Sequence, residues 1–306
     1  LGQAMAAAFG APYYHMHRAD LLAALASALP EERLHLRHRF EGFTDHGDQV
    51  EIRFEDGARA FADLVVGADG IHSPVRSALF GPEHPDFTGC IAYRGLVPAE
   101  RLRHLDLELV AGSWLGPRQH FVHYFVAGGR LHNFVAVIQR DSWSRESWID
   151  RGEVKDALAA YEGWHPQVAA IIGAVEETFI WALFDRKPLA TWSKGRVTLL
   201  GDACHAMLPF MAQGAAQSIE DGATLAACLQ QSPGDLPAAL KRYEALRLPR
   251  ATRLQAMSRD NKRRFHLPDG PEQQERDAAL AQRGDRAIPT IGWLYGHDAG
   301  MLAPTP

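Results

Sequence analysis

The chain has 306 residues, 46% of them hydrophobic and 23% charged, enough for two domains or one large one and too apolar for a disordered or fibrous protein. With 32 Lys and Arg against 37 Asp and Glu, and no run of like charge, the formal net charge of −5 argues against a nucleic-acid or anionic-membrane partner. The longest apolar stretches, Ala4 to Ala11 and Pro166 to Val175, fall far short of the roughly 20 residues that cross a bilayer. Cys90, Cys204 and Cys228 lack Cys-x-x-Cys spacing, which gives neither a disulfide framework nor a zinc site and suits a reducing cytoplasm.

The opening residues, LGQAMAAAFG, read like the interior of a domain, so a preceding segment is expected. Apolar residues at Leu21, Leu22, Leu25, Ala26 and Leu29 predict a helix with Asp20 as its N-cap and Pro30 as its end. RLHLRHRF (33–40) alternates like a strand, and the segment after it predicts a hairpin turning at Glu55-Asp56-Gly57, then a buried strand from Leu64 to Val66. That strand ends on Asp69-Gly70. Ser73-Pro74 supplies an N-cap and first-turn proline for a short helix stopped by Gly81.

From about Phe87 to Arg140 the runs CIAYRGLVP, LELVAGSWLG, QHFVHYFVAGG and LHNFVAVIQ predict an antiparallel sheet. Helices are expected over Val154 to Tyr161 and Pro166 to Val175, then a strand near Phe179 to Phe184. A buried strand from Val197 to Leu200 ends on Gly201-Asp202; a loop and a small-residue helix from about Gly214 to Leu229 follow. Leu236 to about Phe265 reads as a solvated helix interrupted at Pro249, and the apolar tail bearing Trp293 and Tyr295 is expected to pack on the core.

Two predicted strands thus end with an Asp beside a Gly, the place where open α/β sheets bind nucleotides, although Asp-Gly is also a common turn pair. The second instance carries more, because Gln213-Gly214-Ala215-Ala216 opens a helix whose free backbone N–H groups and positive end stabilise an anion or an electron-rich heterocycle.

HRADLLAAL (17–25), DLVVGADGIHSPVR (63–76) and GRVTLLGDACHAMLPFMAQGAAQSIEDGATLA (195–226) together resemble the aromatic-ring hydroxylases, single-component flavoprotein monooxygenases that include salicylate, 3-hydroxybenzoate and 6-hydroxynicotinate hydroxylases. The resemblance runs nearly the whole length, to the closing WLYGHDA. It implies that Arg18 contacts the flavin side chain, that Asp69-Gly70 serves both the FAD pyrophosphate and NAD(P)H, and that Gly201-Asp202 binds the ribityl chain through Asp202. It further implies that the Pro209 carbonyl lies near the flavin carbon where oxygen reacts, and that Gly214 and Ala215 donate to the flavin pyrimidine edge. The family's opening strand, Gly-x-Gly-x-x-Gly turn and helix for the ADP half of FAD have no counterpart in this sequence; the first βαβ unit, roughly 30 residues or more, is expected to be missing.

On GPRQHFVHYFV (116–126) alternation puts His120, Val122 and Tyr124 on one strand face and Phe121, His123 and Phe125 on the other. The resemblance assigns His120 and Tyr124 to the phenol of the substrate and Gln213 to the pocket; a His with a near-neutral pKa suits the proton transfer that activates the ring. His15 and His17 share a strand face but have no third ligand, so no metal is expected. Cys204-His205 has the residue types of a nucleophile and base, but neighbours on an extended segment point apart, so Cys204 is expected to be a small filler beside the flavin loop.

The expected fold is α/β: a Rossmann-like FAD-binding domain of the p-hydroxybenzoate hydroxylase type, its first βαβ unit missing, with an inserted antiparallel-sheet substrate domain. The expected division is FAD binding over 1–86, the substrate sheet over 87–190, FAD binding again over 191–235, and a helical cover over 236–306. The expected activity is FAD-dependent hydroxylation of a phenolic or hydroxylated aromatic acid with NAD(P)H and O2, in the cytoplasm and compatible with a homodimer. The alternatives are a same-fold flavin oxidoreductase acting on a non-aromatic substrate, which has no need of His120 and Tyr124, and a non-catalytic truncated remnant.

Overall fold

Period-two alternation dominates the middle of the chain, and there the largest sheet forms. The structure is a computed structural model and describes residues 2–140, 150–282 and 288–302. In chain order, helices α1 (Gly2–Phe9) and α2 (Arg18–Ser27) precede strands β1 (Phe40–Asp45), β2 (Val50–Phe54), β3 (Arg59–Ala62) and β4 (Val65–Gly67), then helix α3 (Pro74–Phe80). Strands β5 (Asp86–Pro98), β6 (Gly112–Gly116), β7 (Gln119–Val126), β8 (Leu131–Gln139) and β9 (Asp150–Gly152) follow. Next come helices α4 (Val154–Ala160) and α5 (Pro166–Gly173), strands β10 (Thr178–Asp185), β11 (Ser193–Lys194) and β12 (Val197–Leu199), and helix α6 (Asp202–His205). Helices α7 (Gly214–Gln231), α8 (Leu236–Phe265), α9 (Pro271–Ala281) and α10 (Ile288–Tyr295) close the chain.

Two compact units result. The first comprises Leu1–Arg33, Phe87–Leu183 and Arg263–His297. Among the described residues its sheet has the order β6-β7-β8-β5-β10-β9. β7 pairs antiparallel with β6 and β8, and β8 with β5. One sheet face carries Phe121, which stacks on Phe134 at 5.5 Å and meets Tyr161 edge-on. Ile91, Tyr93, Ile171 and Ile172 bury beside these rings, so helices α4 and α5 complete a core on that side. Gly95 is required here: a Cβ on it would sit 2.5 Å from the Phe134 ring.

The second unit comprises Leu34–Asp86, Phe184–Lys262 and Asp298–Pro306. β1, β2 and β3 form a meander, and Gly57, at φ +82°, closes the expected turn by donating its N–H to the Phe54 carbonyl at 2.9 Å. β4 pairs in parallel with β12, Val65 opposite Val197 and Gly67 opposite Leu199, so both strands end on the same side. α3 starts as its sequence specifies, with Pro74 in its first turn and Ser73 Oγ accepting from Arg76 N–H.

Four local expectations are corrected. Residues 34–39 form no strand: Leu34 and Leu36 are 47% and 71% exposed, so the alternation has no buried face to specify pairing. α2 starts at Arg18 with His17 at its N-cap position, and Asp20 lies in the first turn, where it offsets the positive helix end without capping it. Cys204 and His205 lie on the short helix α6 and not on an extended segment. α8 runs unbroken through Pro249 and is not a solvated cover, because Leu240, Tyr243, Arg247, Ala251, Leu254 and Ser258 form a buried stripe along it. Burial of that stripe outweighs the roughly 3 kcal/mol that an interior proline costs a helix.

Candidate functional site

In the second unit the parallel pairing of β4 and β12 sets Asp69-Gly70 and Gly201-Asp202 just past neighbouring strand ends. Asp69 spends both carboxylate oxygens on α3, accepting from Ser73 Oγ at 2.5 Å and from Val75 N–H at 3.0 Å. The tight turn this makes has Gly70 at φ +84°. Gly201 has φ +65° and lies so close to α7 that a Cβ would meet Ser218 Oγ at 2.6 Å; only glycine serves both demands. Asp202 and Pro209 are exposed, and Asp202 Oδ1 lies 3.8 Å from where a Cβ on Gly214 would stand. Gly214, Ala215 and Ala216 thus open an 18-residue helix with first-turn N–H donors, small side chains and an adjacent carboxylate.

That loop is held from below by a buried ionic junction which no short motif announces. Asp221 Oδ2 accepts from Gly201 N–H at 2.9 Å and bonds His205 Nε2 at 2.6 Å, while Oδ1 accepts from Arg247 Nε at 2.7 Å. Burial by itself raises the Asp221 pKa, but the bonds from His205 and Arg247 win and hold it below the usual carboxylate range. Glu220 extends the junction to Arg247 and Arg250. Cys204, His205 and Asp221 bring ligand-type atoms within 4.8 Å of one another, yet Asp221 already neutralises Arg247, which opposes a further cation there. Gln213 is buried at the start of α7, its Oε1 accepting from Gln217 Nε2 at 3.1 Å.

In the first unit, His120 and Tyr124 share a face of β7, but four residues along a strand separate them by about 13 Å. Each has its own partners. Tyr124 packs against His15 with the rings tilted and their centres 4.6 Å apart, and Tyr13 packs edge-on against both His15 and Tyr295. His120 is 2% exposed, with Nδ1 2.7 Å from His266 Nε2. Gln139 Nε2 stands 3.0 Å from His266 Nδ1 and can only donate. His266 thus bridges Gln139 and His120, and its bond to His120 is shared between two ring nitrogens. Burial first, and His266 second, push the His120 pKa down to about 3, a correction to the near-neutral value expected. His120 is thus a neutral imidazole across the physiological range. Arg18 belongs to this unit, exposed as the first residue of α2.

These features fit a flavin: an exposed carboxylate for hydroxyl groups, a helix N-terminus built from small residues for the electron-rich ring edge, and glycines where the backbone must approach. The comparisons agree. A family model described as FAD binding domain matches residues 15–258. A 3-amino-4-hydroxybenzoate 2-monooxygenase of Streptomyces platensis is 43% identical over 304 residues, covering 99% of this chain and 76% of that protein. A 6-hydroxynicotinate 3-monooxygenase of Pseudomonas fluorescens is 38% identical over 266 residues, covering 85% of this chain and 69% of that one. Among solved structures, a salicylate hydroxylase substrate complex superposes with TM-score 0.78 at 30% identity, over 93% of this chain and 74% of that one. The chain belongs to the FAD-dependent aromatic-ring hydroxylases of the p-hydroxybenzoate hydroxylase fold. It is a flavoprotein monooxygenase that uses FAD with NAD(P)H to hydroxylate an aromatic substrate.

Proposed function

We propose that the substrate is an aromatic acid bearing a ring hydroxyl, with O2 as the oxygen source, and that the β7 face carrying His120 and Tyr124 receives the ring. The observation that carries the reading is the pairing of two Asp-Gly strand ends beside a small-residue helix start, in a chain 43% identical to a 3-amino-4-hydroxybenzoate hydroxylase. In the second unit Asp202 would hold the ribityl hydroxyls, and the Gly214 and Ala215 N–H groups and the Pro209 carbonyl would serve the flavin ring. Asp69, with both oxygens committed to α3, acts through the turn it shapes at Gly70. Bound FAD supplies hydride acceptance from NAD(P)H and the activation of oxygen.

On the substrate side, His120 acts as a neutral hydrogen-bond partner of the ring hydroxyl. Its ring is held by His266, which Gln139 holds in turn. Tyr161 anchors the strand from the opposite face, donating to the His120 and Val137 carbonyls at 2.6 and 3.0 Å. Gln213, bonded to Gln217, supports the α7 start and so acts indirectly. All three cysteines are free and buried, in keeping with a reducing cytoplasm. No helix among the described residues is long and apolar enough to cross a membrane.

The test is NAD(P)H oxidation by the FAD-loaded protein against a panel of hydroxybenzoates, aminohydroxybenzoates and non-aromatic acids, with product analysis. Stimulation confined to hydroxylated aromatic acids, with one added hydroxyl in the product, is the expected result. Turnover of a non-aromatic acid alone would establish the alternative flavin oxidoreductase.

A further inference from the structure

The sheet face that carries His120 and Tyr124 holds another ligand-type group. In the register of β5, β8 and β7, Arg94 stands opposite Val135, and Val135 opposite Val122. Directly opposed residues of antiparallel strands project to the same side, so Arg94 shares the face of His120 and Tyr124, level with Val122 between them. Two strand spacings separate Arg94 from Val122, about 10 Å. The phenylalanine core and helices α4 and α5 occupy the other face.

Arg94 is partly buried, and its guanidinium carbon lies 4.1 Å from the centre of the Trp181 ring. Among the described residues it forms no ion pair. Burial pushes its pKa below the ordinary value; Tyr124 raises it and Arg18 lowers it further, so the nearby charge that it feels includes a second cation. Desolvating a cation without an anion is costly unless the site is built to receive one. A guanidinium is planar by delocalisation, and one held over an indole face can still present its donor fork to a carboxylate through two parallel hydrogen bonds.

We propose that Arg94 binds the carboxylate of the aromatic acid substrate and so sets the orientation of the ring on the β7 face. The proposal rests on reading that face as the ring site. An acid group held at Arg94 directs the opposite side of the ring toward β7, where His120 and Tyr124 lie. The enzyme then selects ring acids over the same rings lacking the acid group.

The test measures equilibrium binding of 3-amino-4-hydroxybenzoate, and of 2-aminophenol, its counterpart without the carboxylate, to the FAD-loaded protein by calorimetry. NAD(P)H oxidation and hydroxylated product are followed in parallel. The wild type is expected to prefer the acid. Arg94→Met, which keeps the length of the stem and removes the charge, weakens acid binding by about 10- to 100-fold, the range of a charge-assisted pair, and moves 2-aminophenol by less than about threefold. Arg94→Lys retains part of the preference, and bound flavin and circular dichroism report whether each variant is folded. Equal binding of the two ligands by the wild type overturns the proposal, as does an equal loss of both in folded Arg94→Met. Acid binding that follows Arg94 without any hydroxylated product supports Arg94 while refuting the proposed reaction. Hydroxylation with undiminished acid preference in Arg94→Met refutes Arg94 and leaves the reaction standing.

Discussion

Asp221→Ala is expected to lower stability by about 3–5 kcal/mol, read as an unfolding midpoint reduced by roughly 10 °C. The carboxylate is fully buried and joins three elements: Gly201 N–H just before α6, His205 at its end, and Arg247 on α8. Its removal leaves the Arg247 guanidinium, 1% exposed, with Glu220 as its remaining carboxylate partner and strips the Gly201 amide of its acceptor. Breaking a buried pair from one side costs more than the pair contributes, because the remaining charge stays desolvated. Asp221→Asn preserves the shape and removes the charge, and is expected to fall between the two. Because the folded Asp221 pKa lies below its unfolded value, the stability it contributes is present above about pH 4 and is lost as the pH falls through the folded pKa. Chemical denaturation across that window checks the sign, and a loss below about 1 kcal/mol for Asp221→Ala at pH 7 contradicts the junction's role. Flavin retention is expected to weaken in parallel, since Gly201 precedes Asp202.

His120→Ala is expected to reduce the turnover number for ring hydroxylation by about 100-fold or more while bound flavin stays near the wild-type level. The pH dependence distinguishes how His120 acts. A side chain with its pKa held near 3 does not change charge between pH 5 and 8, so the variant's loss is expected to be uniform across that range. A loss confined to one limb of the profile, with an inflection near pH 6.5, shows instead that His120 titrates as a base. Equal loss of activity and flavin marks the residue as structural. The stability contribution has a definite sign as well: a histidine whose folded pKa is depressed stabilises above its unfolded value and loses that contribution as the pH falls from about 6.5.

What the sequence makes legible is whatever a few neighbouring residues settle. Ser73 and Pro74 announce α3, Gly57 the hairpin turn, and alternation over 119–126 the two faces of β7. The two Asp-Gly strand ends are visible as local pairs, and their pairing in parallel follows from fold logic. What stays hidden needs distant partners. His120 finds His266 across 146 residues, and Asp221 finds Arg247 across 26, distances at which no spacing rule operates. The depressed His120 pKa follows from that packing and not from the residue's neighbours in sequence. α8 conceals its buried stripe because one member is Arg247, a residue type ordinarily exposed, and because Pro249 mimics a break. Residues 34–39 fail in the other direction, their alternation clear but their leucines left exposed. Arg94 sits inside the strand run CIAYRGLVP, where only the register across β8 shows that it shares a face with His120.

The most direct test of the account is turnover of a hydroxylated aromatic acid by the FAD-loaded protein under 18O2 in ordinary water, with mass spectrometry of the product. One 18O atom in the new ring hydroxyl, matched by one NAD(P)H oxidised, is the predicted result. A product whose new oxygen comes from water, or NAD(P)H consumed with no oxygen entering the ring, contradicts it.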